Sequence, residues 1–538
     1  MKKIPTGTSS FENLITQDFI YVDKTKIIYD LINGRDSLYF LSRPRRFGKT
    51  LLLSTLKSLF EGKRELFKGL WIDSSDYQWK SHPVISLDFS GLTSSTPEIL
   101  EKELIYHLEL QAEKFSIDLS KAPSTSLSKL AGLITALAQK NKIVILIDEY
   151  DYPIVNSLGN NFAQENLTII NSFFTGLKSH SANFRAIFVT GVSPIPKTSA
   201  YSGMNILNNI SLDPIAASLL GYTKEELMTY FSEHIGQLAL VEQMAEKELL
   251  EKIQLWYNGY RFSEEDKKVY NPFSLHYLFM KKRFANYWFS VATPKFLRHF
   301  LKTHTYDLQA LDGGFFTADS LTTLSLDALK PRLDTLLFQA GYLTISTYTK
   351  ETNSYRLDYP NHEIKESYAI LLMATLADTD ENIINQAAPL VRNALFTNDI
   401  DELCLQLKII FARIPYQIAE HTEKFYHALV QGFFLLLGLE SHSEISTNRG
   451  RIDMAVFTKK FTYIFEFKVK KSPKAVNVQG EPRNQKDVAF EQIKDRAYYE
   501  RYLSSPKMET KSIIVLVGLT FSKYDGDATV QCIHKILF

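Results

Sequence analysis

The chain opens with short apolar runs separated by amphipathic stretches. "SLYFL" (37–41), "VISLDF" (84–89), "IVILI" (143–147) and "RAIFVT" (185–190) are dense in β-branched and aromatic residues. Such runs predict strands covered on both faces, as in a parallel sheet. Helical spacing lies between them, for example at Leu51–Phe60. Alternating strand and helix predicts a doubly wound α/β domain over residues 1–220.

The pattern changes near Gly221, where "TKEELMTYFSEHI" and "AEKELLEKIQLWYNGY" read as polar-faced helices. Further on, "LDTLLFQAGYLTI" is a helix entering a strand, "TYTKETNSYRLDY" a hairpin and "NHEIKESYAILLMATL" a helix. Residues 221–395 are therefore expected to form a helical lid with a winged-helix-like module. A last domain, 396–538, begins with the helix "TEKFYHALVQGFFLLLG". "SEISTNRGRIDMAVF", "FTYIFEFKV", "AFEQIKDRAYYERYL" and "SIIVLVGLTF" follow, an α-β-β-α-β order that predicts a mixed sheet with flanking helices.

Composition narrows the class. With 538 residues the chain exceeds one core, and domains of roughly 100–200 residues imply about three or four. A formal net charge of +1 excludes coating of nucleic acid by bulk charge, so such contact must come from local patches. Cys404 and Cys532 are too few for a disulfide framework or zinc cluster, which fits a reducing compartment. The start, MKKIPTGTSS, lacks the apolar segment of a signal peptide, and "FFLLLGL" at 433–439 is too short to cross a bilayer. The expectation is a cytoplasmic protein with no membrane partner.

"LYFLSRPRRFGKTLLL" joins a strand, a basic turn and a helix. Triphosphate binding needs inward backbone N–H groups, a helix N-terminus, a lysine and a hydroxyl for Mg²⁺. Gly48, Lys49 and Thr50 supply these, with Arg46, Phe47 and Leu51 flanking them. Arg43 stands where the general pattern has its first glycine. Arg45 and Arg46 either face phosphates or are solvated. "IVILIDEYD" supplies the second half: Asp148 at a strand tip to hold Mg²⁺ through water, and Glu149 to polarise the attacking water. Thr190 ends the next strand, as either a polar sensor or a structural hydroxyl. ATP with Mg²⁺ is the implied cofactor.

A second acidic constellation lies near the C-terminus. Glu466 and Lys468 in "FEFKV" share one strand face, while Phe465 and Phe467 take the other. Asp453, on the preceding strand, comes beside Glu466 if the two strands form a hairpin. Carboxylates converging on a divalent ion beside a cation are what phosphodiester cleavage requires. The same E-x-K spacing recurs at Glu61, Glu265, Glu363 and Glu509, so context carries the reading; a cross-strand salt bridge is the alternative. Glu423, on the helix before the strands, is a candidate further metal ligand. Arg449, Arg451, Lys459, Lys460, Lys470, Lys471 and Lys474 form either a phosphate-backbone patch or a solvated edge. His427, in "FYHALV", reads as a packed histidine.

"YVDKT" (21–25), "RPRRFGKT", "LIDEYDYPI", "FVTGVSPIPKTSAYSGMNILNNISLDP", "WYNGYRF" and "VYNPFSL" resemble the bacterial AAA-ATPase-like family that carries a C-terminal PD-(D/E)XK nuclease domain. The resemblance spans nearly the whole chain, and in that family the R-P-R-R-F-G-K-[ST] loop is the normal form. It implies an AAA-like P-loop domain and a restriction-endonuclease-like C-terminal domain. Gln492, in "AFEQIKDRAYY", matches the glutamine often found after the strands in that nuclease superfamily. Mg²⁺, with Mn²⁺ as the alternative at the nuclease site, is the implied metal. The expected partner is nucleic acid, DNA rather than RNA, with a homo-oligomer also considered. The resulting reading is an ATPase coupled to nucleic-acid cleavage; an ATP-controlled switch whose last domain only binds nucleic acid is the alternative. Arg261, in "NGYRF", is a candidate lid contact.

Overall fold

The computed structural model describes the chain except for residues 34–36, 158–159, 194–198, 290–296, 298–314, 318–320, 322–332, 377–380, 412–429, 435–436, 438, 448–449, 471–485, 496–512, 525–526 and 538. Two compact units emerge, one made of Met1–Leu297 with Gln309–Glu363, the other of Arg298–Leu308 with Ile364–Phe538.

In the first unit, β1 (Leu38–Ser42), β2 (Val84–Asp88), β3 (Ile143–Asp148), β4 (Phe184–Gly191) and β5 (Asn208–Asn209) form one parallel sheet in the order β2-β3-β4-β1-β5. The four apolar runs become β1 to β4 within a residue at each end. β5 is two asparagines and carried no apolar signal. All six residues of β3 are buried, because helices cover both faces. Leu100, Leu104, Leu130, Leu133, Ile170 and Phe173 of three such helices pack with Phe40, Ile145 and Ile187 of the sheet. Thr96 and Thr125 cap two of those helices by accepting from the amides of Ile99 and Ser128. Parallel strands bring Ser42, Asp88, Asp148 and Gly191 to one edge of the sheet, where ligands of such folds bind.

Helices Lys224–Tyr230, Ser232–Glu242, Glu246–Tyr257 and Pro272–Lys281 pack around Leu227, Phe231, Leu238, Ile253 and Leu278. Ile20 and Val22 join this lid core, so the start of the chain is tied to the lid. β6 (Tyr260–Arg261) and β7 (Lys268–Val269) make a short hairpin within it. A three-stranded sheet follows: β8 (Phe315–Thr317) pairs with β10 (Ser354–Asp358), which pairs with β9 (Thr344–Thr349). Helix Leu333–Ala340 precedes this hairpin and helix His362–Leu376 follows it, the winged-helix-like order.

The second unit holds a mixed sheet of β11 (Glu440–Thr447), β12 (Gly450–Phe457), β13 (Phe461–Lys470), β14 (Ile513–Tyr524) and β15 (Asp527–Ile536), in that order. Only the β13–β14 pair is parallel. Helix Lys486–Asp495 connects them in sequence and packs Ile493 with Ile464, Ile514 and Leu516. The stretch expected as one strand, "SEISTNRGRIDMAVF", divides into β11 and β12, and β15 is an additional edge. Cys404 and Cys532, read as unrelated thiols, are disulfide-bonded with Cα atoms 6.1 Å apart. Their separation of 128 residues concealed that helix Ile400–Phe411 packs on β15. Among the described residues no helix is long and apolar enough to cross a membrane.

Candidate functional site

The turn after β1 enters helix Lys49–Phe60 through Gly48, whose φ of +98° is left-handed. A Cβ at Gly48 would meet nothing within 4 Å, so backbone conformation rather than crowding calls for glycine here. Arg43 keeps an ordinary φ; the other left-handed residue of the loop is Arg46, at +70°. The loop opens on a cleft of about 690 Å³ lined by Arg45 through Leu52, by Asp88, Asp148 and Glu149, and by Pro5–Ser9 and Leu219–Tyr222.

Thr50 donates its hydroxyl to Asp148 Oδ2 at 2.6 Å. Asp148 Oδ1 accepts from the Thr190 hydroxyl and, at 3.1 Å, from the Glu149 amide. The buried carboxylate of Asp148 is thus held by three donors, one on the helix after the loop, one on β4 and one in the turn directly after β3. Thr190 orients Asp148. The ammonium of Lys49 lies within its own loop, donating to the carbonyls of Arg43 at 3.0 Å and Pro44 at 3.3 Å. Glu149 has a left-handed φ of +50°. Burial raises its carboxyl above the ordinary range, with Lys49 opposing that shift and Asp151 and Asp148 adding to it.

In the second unit, Met454 pairs with Phe465 across the antiparallel β12–β13 ladder, so the register carries Asp453 alongside Glu466. Asp453 Oδ2 accepts from the Phe467 amide at 2.8 Å. Glu466 is completely buried, and its Oε1 accepts from Lys468 Nζ at 3.2 Å and from Gln492 Nε2. Helix Lys486–Asp495 reaches this close because Gly518 of β14 lies beneath it; a Cβ there would stand 2.8 Å from the Phe490 amide nitrogen. The opposite face of β13 is aromatic, with Phe465 and Phe467 stacked and Phe434 and Phe521 against them.

A family model described as "Predicted AAA-ATPase" matches residues 5–201, and one for the PD-(D/E)XK nuclease superfamily matches residues 421–526. A protein of Azotobacter chroococcum, "Uncharacterized protein in vnfD 5'region", is 33% identical over 535 residues, covering 97% of each chain. The chain belongs to the AAA-ATPase-like family with a C-terminal PD-(D/E)XK nuclease domain. No solved structure matches it.

In the ATPase domain the structure brings Arg46, Phe47, Gly48, Lys49, Thr50, Leu51, Asp148 and Glu149 to one cleft. Arg261 does not face it. Its guanidinium is buried and bonds the carbonyls of Ser263, Glu264 and Ser346, so it ties hairpin β6–β7 to β9. In the nuclease domain Asp453, Glu466, Lys468 and Gln492 converge. Glu423 and His427 lie outside the described residues, as do Arg449, Lys471 and Lys474, and the side chains of Arg451 and Lys470 are also outside them. Lys459 and Lys460 sit on the exposed turn between β12 and β13.

Both sites suit the groups their family implies. Asp148 and the Thr50 hydroxyl offer hard oxygen donors at a helix N-terminus beside a lysine, the donor set for a magnesium triphosphate. Among the described residues no group of three or more His, Cys, Asp or Glu is arranged to hold a metal ion by itself. Two carboxylates, Asp453 and Glu466, suffice for Mg²⁺, which keeps several waters and takes one or two carboxylates.

Sequence reasoning missed Asp151 and Lys24. Buried Asp151 accepts from the amides of Val192 and Ser193, at 3.1 and 2.7 Å, and so fixes the end of β4. Its signal was the third acid of "IDEYD". Lys24, in "YVDKT", donates to Ser218 O at 2.8 Å and to Glu226 at 2.6 Å, joining the chain start to the lid. Burial lowers its ammonium and Glu226 opposes that shift.

Proposed function

We propose that this protein binds and hydrolyses ATP in its first domain and cleaves nucleic acid, DNA in particular, with its last. The observation that carries the reading is the buried Glu466. Its carboxylate is positioned by Lys468 and Gln492 next to Asp453, in the same chain as a phosphate loop whose Thr50 already engages Asp148. A buried carboxylate costs several kcal/mol unless charge or hydrogen bonds compensate it, so its retention fits a chemical role.

In the ATPase domain, Lys49 leaves the carbonyls of Arg43 and Pro44 to hold phosphate oxygens, and Glu149 accepts a proton from the attacking water. A raised carboxyl matches that task, since a base works best with its pKa nearer the operating pH. In the nuclease domain, Lys468 orients the attacking water and steadies developing charge, while Gln492 fixes the Glu466 oxygen that faces it. A divalent ion bound by Asp453 and Glu466 supplies Lewis-acid polarisation of the phosphate and a more acidic bound water. Defence against foreign DNA is the cellular role we assign to this pairing of domains.

The test is cleavage of linear and circular DNA, and of RNA, by purified protein with Mg²⁺ and ATP. DNA cleavage that Asp453→Ala abolishes supports the reading. Equal cleavage by that variant, or none by wild type with ATP turnover intact, removes the nuclease half and leaves an ATP-controlled switch.

A further inference from the structure

The phosphate loop has two faces, and the outer one is held by the lid and the wing-bearing module. Arg43 is 2% exposed. Its guanidinium donates to Ser211 O at 2.7 Å and Ala216 O at 2.9 Å, on the segment that leads from β5 to the lid. It also lies 4.2 Å over the ring of Phe262, just past β6. Burial, with no charged partner among the described residues opposing it, lowers its guanidinium to about 9. Pro44 packs at the Gly341 turn, where an added Cβ would come within 2.7 Å of Pro44 Cβ. The carbonyl of Arg45 accepts from the indole of buried Trp288 at 3.2 Å. Phe47 meets Tyr260 and Phe262 edge-on at 4.8 and 5.4 Å. Tyr260 in turn donates to Gly341 O at 3.2 Å.

The inner face uses the same residues. Lys49 donates to the carbonyls of Arg43 and Pro44, whose side chains the lid segment and the Gly341 turn hold. Moving the lysine head to a phosphate frees those two carbonyls and loosens the backbone that the outer groups grip.

We propose that Arg43 is a positioning residue through which the lid segment and hairpin β6–β7 set the shape of the phosphate loop, so that nucleotide binding and lid position form one coupled equilibrium. The proposal rests on the nucleotide reading of the cleft. Coupling of this kind is reciprocal: a change on hairpin β6–β7 alters nucleotide affinity, and nucleotide alters the surroundings of Trp288. It also explains why a cation that needs its own cage stands where a glycine would serve the phosphates. The guanidinium fork and its ring contact are what lysine cannot reproduce.

The test uses the full chain labelled with fluorotryptophan. The Trp288 ¹⁹F resonance is assigned by its loss in Trp288→Phe, and the probe is the magnesium complex of a non-hydrolysable ATP analogue. In wild type, nucleotide is expected to move the Trp288 resonance. Phe262→Leu, which lies off the cleft, is expected to weaken nucleotide binding roughly tenfold, the scale of one lost cation–ring contact, and Arg43→Lys at least as much. Both variants are expected to keep the wild-type circular dichroism; because each alters a buried contact, their nucleotide-free melting is measured as well and affinities are compared at a temperature where both are fully folded. Nucleotide binding with the Trp288 resonance unmoved overturns the coupling and leaves the nucleotide site standing. Failure of wild type to bind, or binding by Lys49→Ala equal to wild type, overturns the nucleotide reading and the coupling with it.

Discussion

Thr50 and Asp148 are hydrogen-bonded at 2.6 Å although 98 residues separate them. The bond joins the first turn of the phosphate-loop helix to the tip of β3, and Thr190 and the Glu149 amide complete the acid's partners. Removing the hydroxyl leaves Asp148 bonded on its other oxygen, so the fold survives. Thr50→Ala is expected to lower Mg²⁺-dependent ATP turnover roughly a hundredfold, the scale of losing a positioned oxygen at a reacting phosphate. Phosphate release measured across Mg²⁺ concentrations checks this, with the variant needing more Mg²⁺ to approach its own maximum.

Glu149 is expected to give the ATPase its acid limb. Burial raises its carboxyl, so the proton is retained to higher pH than on a free glutamate. Water polarisation needs the carboxylate, and turnover falls as pH drops through that raised value. Glu149→Gln is expected to lose turnover by about 10²–10⁴-fold while still binding ATP, and to lose the acid limb with it. Single-turnover rates beside equilibrium binding, across pH, separate the two effects.

Asp453→Asn isolates the nuclease chemistry. The amide oxygen can still accept the Phe467 N–H, so β13 keeps its local tie. The negative charge at the metal position is lost. Cleavage is expected to fall below detection with the melting temperature within a few degrees of wild type, and chelation of divalent ions by EDTA is expected to have the same effect on wild-type cleavage.

His276 makes the lid acid-sensitive. Its imidazole hydrogen-bonds the Tyr222 hydroxyl at 2.9 Å, and burial lowers it to about 4 from an ordinary value of 6.5. The unfolded chain therefore takes a proton below about pH 6.5 that the folded lid refuses until about pH 4. Stability from this group is present above pH 6.5 and is lost as pH falls towards 4, by about 3 kcal/mol in all. Urea unfolding of wild type and His276→Asn at pH 7 and pH 5 checks this: the gap between the two pH values is expected to shrink in the variant.

Much of this arrangement was legible in the sequence because strand and motif coincide. β3 ends at Asp148, where "IVILID" stops being apolar, and the alternation of Phe465, Glu466, Phe467 and Lys468 fixed which side chains face the acid. What stayed hidden depends on long-range packing. Arg43 read as an anomaly of the phosphate loop, since nothing local shows that Ser211, Ala216 and Phe262 enclose it. Arg261 read only as a candidate lid contact, and nothing local shows that its donors go to carbonyls of its own hairpin and of β9. Cys404 and Cys532 met only because a helix lies on the last strand.

The central claim is that two independent divalent-ion sites serve phosphate chemistry in one chain. Mn²⁺ titration followed by electron paramagnetic resonance, with and without a non-hydrolysable ATP analogue, tests it most directly. The account predicts one class of site that appears with nucleotide and is lost in Thr50→Ala, and another that needs no nucleotide and is lost in Asp453→Asn. Binding that ignores both substitutions, or a single class lost in both variants together, contradicts it.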